Sequence, residues 1–137
     1  MKKLILLTLV FLILMFKVNA QTSTKPKAEL TKSNIEAMES ILKSEKESQK
    51  YYLKLIKKAE KLLRKHPNAI FVNCAGAYGF GLLSQISVNY AVIAMQLIIP
   101  ELNNETKAKV QKIVNEINCE YEVNTKLLNK LKVLGGG

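Results

Sequence analysis

The chain has 137 residues, with 21 Lys and Arg against 11 acidic residues, which gives a formal net charge of +10. Every acidic residue is Glu, so the Asp carboxylates common in hydrolytic and magnesium sites are absent, which disfavours enzymes of those classes. A chain of this length can bury one hydrophobic core, and it is too short for two typical domains.

The first 20 residues have the pattern of a secretory signal peptide. Lys2 and Lys3 precede the apolar run Leu4–Phe16, and Val18–Ala20 ends in the small residue that a signal peptidase accepts. The run of 13 residues is also shorter than the roughly 20 that span a bilayer. We therefore predict cleavage after Ala20 and an exported protein, periplasmic or secreted, with a mature net charge of about +7.

A first helix is predicted after a polar, flexible lead-in over residues 21–32. Ser33 and Glu36 form a capping-box pattern, in which both side chains satisfy backbone amides of the first turn. Pro67 cannot continue a helical hydrogen-bond ladder, so the predicted helix spans about Asn34–Lys65. The spacing of its apolar side chains is that of a coiled-coil seam. The apolar members of this seam are Ile35, Met38, Leu42, Tyr52, Ile56, Ala59 and Leu63.

Residues 68–100 contain no Asp, Glu, Lys or Arg, although 23% of the whole chain is charged. Glycines at positions 76, 79 and 81 each destabilise a helix by about 1 kcal/mol. We therefore predict a second helix whose firm part covers about Leu82–Ile98, with the glycine stretch forming either a kinked first turn or a loop. Such an apolar helix is either the centre of a bundle, a transmembrane helix or a surface covered in an oligomer.

Two sets of residues in this segment are candidates for helix packing. Small residues four positions apart allow a second helix to approach closely, and on a helical wheel the uncharged polar side chains fall within one narrow stripe. In a soluble bundle that stripe faces solvent, whereas in lipid its amides need partners on another helix. The small pairs are Ala75 with Gly79 and Ala77 with Gly81, and the polar stripe is Tyr78, Gln85, Asn89 and Gln96.

A third helix is predicted from Asn103 or Asn104, either of which can cap it, to about Leu134, before a flexible glycine tail at 135–137. Few residues around Pro100 separate it from the second helix, so these two helices are expected to be antiparallel neighbours. The sequence thus predicts an all-α protein with three long helices in an antiparallel bundle or helical-hairpin arrangement, forming one helical domain over residues 33–134. The inward face of the third helix is Val110, Ile113, Ile117, Tyr121, Asn124, Leu128 and Leu131.

Cys74 and Cys119 are the only cysteines, and export into an oxidising compartment favours a disulfide between them. Straight helices would place Cys74 about 13 Å farther than Cys119 from the turn at Pro100, whereas a disulfide needs Cα atoms within about 7 Å. The bridge therefore requires a kink at the glycines. The alternatives are buried thiols or a bridge between chains.

No catalytic or metal site is predicted. His66, the sole histidine, precedes Cys74 by eight residues, but a histidine just before Pro67 is more typical of a helix end, and no third group is evident to orient it. One histidine and two distant cysteines cannot supply a set of metal ligands. The glycine stretch lacks the Lys and the Ser or Thr of a phosphate loop. We accordingly predict no cofactor and no small-molecule substrate.

Basic side chains recur every three or four residues on the first helix, on the side away from its apolar seam. Seven cations along about 30 Å of helix would attract anionic lipid head groups or an acidic protein partner, although an ordinary solvated helix face has the same pattern. Nucleic acid is disfavoured because few aromatic side chains accompany the cations. This basic row is Lys43, Lys46, Lys50, Lys54, Lys57, Lys61 and Arg64.

These features predict a non-catalytic exported protein that acts by helix–helix association, through self-association or with a protein partner. Accessory subunits of bacterial envelope, secretion or conjugation assemblies share this layout of signal peptide and long amphipathic helices. The alternative is a membrane-active protein that inserts residues 82–99 while the basic row binds anionic lipid. An enzyme that uses Cys74 is a third, disfavoured hypothesis.

Overall fold

The computed structural model describes residues 31–137, which form three long helices. These are α1 (Lys32–Leu63), α2 (Val72–Ile98) and α3 (Asn104–Leu134), and a short 3-10 turn at Ile99–Glu101 follows α2. The predicted all-α class is confirmed for this part of the chain. The predicted signal peptide at 1–20 and nearly all of the lead-in at 21–32 lie outside the described residues.

Helix α1 begins two residues earlier than the capping-box pattern predicted. Thr31 is the residue that caps it, and its hydroxyl oxygen accepts a hydrogen bond of 3.2 Å from the backbone N–H of Asn34. Ser33 therefore lies inside the first turn, where Glu36 forms an exposed ion pair of 3.9 Å with Lys32. The helix also ends earlier than predicted, at Leu63, and Pro67 lies in the turn that follows, where the N–H of Ala69 donates to the carbonyl oxygen of His66 at 3.0 Å.

Helix α2 is regular through the glycine stretch, so the prediction of a kinked turn or loop before Leu82 is wrong. The helix starts at Val72, directly after a hydrogen bond of 3.0 Å from the N–H of Phe71 to the carbonyl oxygen of Leu134. Packing explains the difference, because Cys74 and Gly81 are buried against the other helices. That burial offsets the cost of about 1 kcal/mol that each glycine brings to the helix.

Helix α3 has the boundaries that the sequence predicts. The side chain of Asn103 accepts a hydrogen bond of 2.9 Å from the N–H of Thr106 and thereby caps the first turn. At the other end Gly135 caps the helix, and its N–H donates to the carbonyl oxygen of Leu131 at 2.9 Å. The backbone of Gly136 has a φ of 91°, a conformation that glycine adopts without strain.

The hydrophobic core consists of two clusters, one toward each end of the helices. In the first cluster the first half of α1 meets the second half of α2 and the first half of α3; its largest buried members are Met38, Ile41, Met95, Leu102, Val110 and Ile117. In the second cluster the second half of α1 meets the first half of α2 and the second half of α3. The buried members of this cluster are Tyr52, Ile56, Ala59, Cys74, Ala77, Leu127, Leu128 and Leu131.

The three helices do not cover one another equally. Helix α3 packs along both α1 and α2, whereas α1 and α2 contact each other over a much shorter stretch. Because α2 has apolar side chains all around its circumference, this packing leaves one side of it uncovered. That uncovered side is the feature on which a functional interpretation depends.

Candidate functional site

The outer face of α2 exposes a continuous set of large apolar side chains. Eight of the fourteen exposed large apolar residues in the described part of the chain lie on this helix, each with 40% to 80% of its surface accessible. They point away from the core because they occupy the positions between the buried ones in the helical repeat. We define the outer face of α2 as Val72, Phe80, Leu82, Leu83, Ile86, Tyr90, Ile93 and Leu97.

A groove runs between α1 and the first half of α2, where these two helices diverge. Its volume is about 830 Å³, and it is open to solvent along its length. Gly76 is part of its lining, and a Cβ atom built there would have no neighbouring atom within 4 Å. The α1–α2 groove is lined by Ser48, Tyr51, Tyr52, Leu55, Val72, Asn73, Gly76, Ala77, Phe80, Gly81, Leu83 and Ser84.

The two small-residue pairs that the sequence singled out have different surroundings. Ala77 and Gly81 are buried, and a Cβ atom at Gly81 would overlap the side chain of Leu128 and lie 2.8 Å from the Tyr52 hydroxyl. Ala75 and Gly79 are exposed, and the space at Gly79 is open. Within the molecule, Ala77 and Gly81 therefore lie at the close contact of α2 with α1 and α3, and Ala75 meets the end of α3 at Gly135, whereas Gly79 adjoins open space.

The predicted polar stripe of α2 is divided between the interior and the surface. Gln85 is buried, and its amide nitrogen donates to the Thr125 hydroxyl at 2.8 Å and to the Tyr121 carbonyl oxygen at 3.4 Å. Asn89 and Gln96 are exposed. Since α3 lies on the side of α2 that carries Gln85, this amide joins the two helices instead of facing solvent.

A second buried polar contact joins α1 to α3. The side-chain nitrogen of Asn124 donates to the carbonyl oxygen of Glu45 at 3.0 Å and to its carboxylate oxygen at 2.9 Å. Both side chains are at most 2% exposed, and they separate the two apolar clusters. Burial, and then the charge of Glu45, raise the pKa of Tyr52. The sequence placed Asn124 on the inward face of the third helix but did not indicate that it pairs with Glu45.

All seven members of the basic row are exposed, six of them on α1 and Arg64 at the residue that caps its end. At 3.6 residues per turn, they lie on average about 150° around α1 from the α1 residues that line the α1–α2 groove. The outer face of α2 and the basic row therefore point in different directions. A flat surface that covers one of them does not contact the other.

The predicted disulfide between Cys74 and Cys119 is absent, and both cysteines are free thiols. Cys74 is buried at the start of α2, next to Ala75, which packs closely against Gly135 at the end of α3. Cys119 lies 16 residues before Gly135, which corresponds to about 24 Å along a helix. Because α2 continues through the glycines without folding back, the two sulfur atoms cannot meet.

The thiols and the histidine do not form a catalytic arrangement. Burial raises the pKa of the Cys74 thiol, which disfavours the reactive thiolate. His66 is exposed in the turn after α1, whereas Cys74 belongs to the second core cluster. Within residues 31–137, no three His, Cys or Glu side chains lie together in a way that could hold a metal ion.

The fold and surface of residues 31–137 together define a three-helix all-α unit with one uncovered apolar helix face. Among the described residues, one segment is long and apolar enough to cross a membrane. It is Val72–Glu101, which comprises α2 and the turn that follows it, and 33% of its most apolar window is buried. Comparison with known proteins finds no family model, no curated protein and no solved structure that matches the chain.

Proposed function

We propose that this is an exported, non-catalytic protein that acts by helix–helix association through the outer face of α2. It either self-associates or serves as an accessory subunit of a bacterial envelope, secretion or conjugation assembly. The observation that carries the proposal is the exposed apolar face itself, which has no ionised side chain anywhere between residues 68 and 100. Soluble monomers rarely expose a contiguous apolar patch of this kind unless something binds to it.

The finer features of the fold belong to the same proposal. The order in which the helix halves enter the two core clusters supports an antiparallel bundle, in which α2 runs opposite to α1 and α3. The pattern at residues 1–20 supports cleavage after Ala20 and export. Outside the cytoplasm, the outer face of α2 would be exposed to water unless a partner binds to it.

Thiol labelling in producing cells tests whether this face is covered. In a Cys119→Ser background, Ile86→Cys places a thiol at the centre of the outer face, and Val133→Cys places one on an exposed part of α3. We expect a membrane-permeant maleimide to label Ile86→Cys about ten-fold more slowly in cells than in dilute purified protein. Val133→Cys should react equally fast in both. Equal rates for both variants would contradict the proposed function.

Insertion of residues 82–99 into a membrane is the second candidate function. The length and composition of α2 favour it, but two observations weigh against it. Insertion would remove the hydrogen bonds from Gln85 to α3, and the basic row lies on a different side of α1 from the exposed face. Alkaline carbonate extraction decides between the two: a protein that remains in the membrane pellet is inserted, and release into the soluble fraction excludes insertion.

A further inference from the structure

We propose that the occupant of the outer face of α2 is a second copy of this chain, paired antiparallel to the first. In this arrangement the second half of each α2 enters the α1–α2 groove of the other copy. The inference rests on the proposed function, association through this face, and names the partner. Two identical copies related by a twofold axis use the same surface patch on each side.

The exposed area is sufficient for a stable dimer. The eight residues of the outer face each leave 40% to 80% of their surface accessible. With roughly 200 Å² for a large side chain, the face presents on the order of 800 Å². A standard stable interface buries about 800 Å² on each partner. The face alone therefore reaches the size of such an interface.

The sizes of the side chains along the face select the antiparallel direction. The first half of α2 carries Gly76 and Gly79, both with open space around them, and the second half carries Tyr90 and Ile93. If the pair is centred between residues 84 and 85, Gly76 faces the partner's Ile93 and Gly79 faces the partner's Tyr90. A parallel pair would instead place glycine against glycine and bulky residue against bulky residue, which packs poorly.

The same register pairs four further residues of the face with apolar partners. It places Val72 opposite Leu97 of the partner copy and Leu83 opposite Ile86 at the centre. The second half of each helix then lies over the α1–α2 groove of the other copy, whose lining includes Tyr51, Gly76 and Phe80. Six of the eight large side chains of the face thereby meet either an apolar partner or the space above a glycine, whereas Phe80 and Leu82, at the two edges of the face, lie opposite Asn89 and Ser87.

The charges of the molecule are compatible with a second copy and less so with lipid. Each mature chain carries a net charge of about +7, yet the contact surface carries none, and the basic row of each copy remains on another side of α1. Helices that lie on anionic membranes usually carry Lys or Arg beside their apolar face. Helix α2 carries no Lys or Arg of its own beside its outer face.

Sedimentation of residues 21–137 over a range of concentrations, with a reductant present, tests the proposal. The reductant excludes dimers that form through a disulfide at the exposed Cys119. We expect a reversible dimer, and Ile86→Glu should weaken it at least about 100-fold because two carboxylates would lie at its centre. Val133→Glu, on the exposed part of α3, should leave it unchanged.

A pair of variants tests the register. Gly76→Leu fills space that is open in the single chain and raises helix propensity, so the fold is retained, but it occupies the site of the partner's Ile93. We expect about ten-fold weaker dimerisation. Adding Ile93→Ala restores a large residue opposite a small one and should recover the affinity. Dimerisation insensitive to Gly76→Leu, or no recovery with Ile93→Ala, would overturn the antiparallel pair.

The outcomes separate this inference from the proposed function. A mature protein that stays monomeric, with Ile86→Cys still protected in cells, would overturn the self-pairing and leave association with another partner. A monomer whose Ile86→Cys is equally reactive in cells and in dilute solution would refute both. A monomer that sediments with phosphatidylglycerol vesicles, and loses this binding with Ile86→Glu, would assign the face to lipid and overturn the dimer.

Discussion

Gly81 lies where α2 comes close to both neighbouring helices. The Tyr52 hydroxyl and the Leu128 side chain occupy the space that a Cβ atom there would need. Gly79, two positions earlier, has no atom within 4 Å of the corresponding point. Both glycines therefore reduce the intrinsic stability of the helix equally. Only Gly81 is needed for close packing of α2 against its neighbours.

Replacing each of these glycines with alanine separates the two roles. Alanine is better than glycine in a helix by about 1 kcal/mol, so Gly79→Ala should raise the free energy of unfolding by up to that amount. Gly81→Ala should lower it by about 1–2 kcal/mol, because Leu128 has to repack inside the core. Urea unfolding at low protein concentration measures both. Equal stabilisation by the two changes would show that the close contact is unimportant.

At the scale of helices, the polar contacts decide how α3 is joined to its neighbours. Asn124 donates to a buried carboxylate of α1, while Gln85 of α2 donates to neutral oxygens of α3. Hydrogen bonds to charged groups contribute more to stability than neutral ones. The contact between α1 and α3 should therefore be the stronger of the two.

Alanine substitutions compare these two contacts. Asn124→Ala removes an amide donor from the buried Glu45 carboxylate and should lower the free energy of unfolding by about 2–3 kcal/mol. Gln85→Ala should cost only about 1 kcal/mol. A double-mutant cycle of Asn124→Ala with Glu45→Gln measures how much the charge of Glu45 contributes to the free energy of this interaction. If Asn124→Ala lowers the free energy of unfolding no more than Gln85→Ala does, the charge of Glu45 does not strengthen the contact between α1 and α3.

Sequence patterns predicted the helices better than their ends. The sequence offered Asn103 or Asn104 as the cap of α3, and the structure has Asn103, whereas at the start of α1 the cap is Thr31 and not Ser33, which the capping-box pattern had favoured. The glycine stretch misled the prediction for α2 because local propensity omits the packing at Cys74 and Gly81. The predicted disulfide required a kink at these glycines. Because α2 continues through them as a helix, the disulfide does not form.

The candidate site was only partly predictable for a related reason. The absence of charge at 68–100 identified α2 as the unusual helix. Which of its faces stays exposed depends on where α1 and α3 pack, and no local pattern contains that information. The polar stripe illustrates this, since Gln85 is buried against α3 whereas Asn89 and Gln96 reach solvent.

At the scale of the whole molecule, two properties oppose each other. A net charge of about +7 on the mature chain favours separate, soluble copies, whereas the outer face of α2 favours association. They can coexist because the cations and the apolar face lie on different sides. Screening the charges with salt should therefore strengthen self-pairing, whereas it would weaken binding of the basic row to an anionic partner.

Thermal unfolding at several protein concentrations measures this balance in the intact molecule. If only the folded chain pairs, mass action stabilises it, and the melting temperature should rise by about 3 °C for each ten-fold increase in concentration. Ile86→Glu should abolish this dependence, because the unpaired chain unfolds at a temperature independent of concentration. Added salt should raise the melting temperature of the unmodified protein more than that of Ile86→Glu. A melting temperature that is independent of concentration in both proteins would mean that the apolar face is not covered by a second copy.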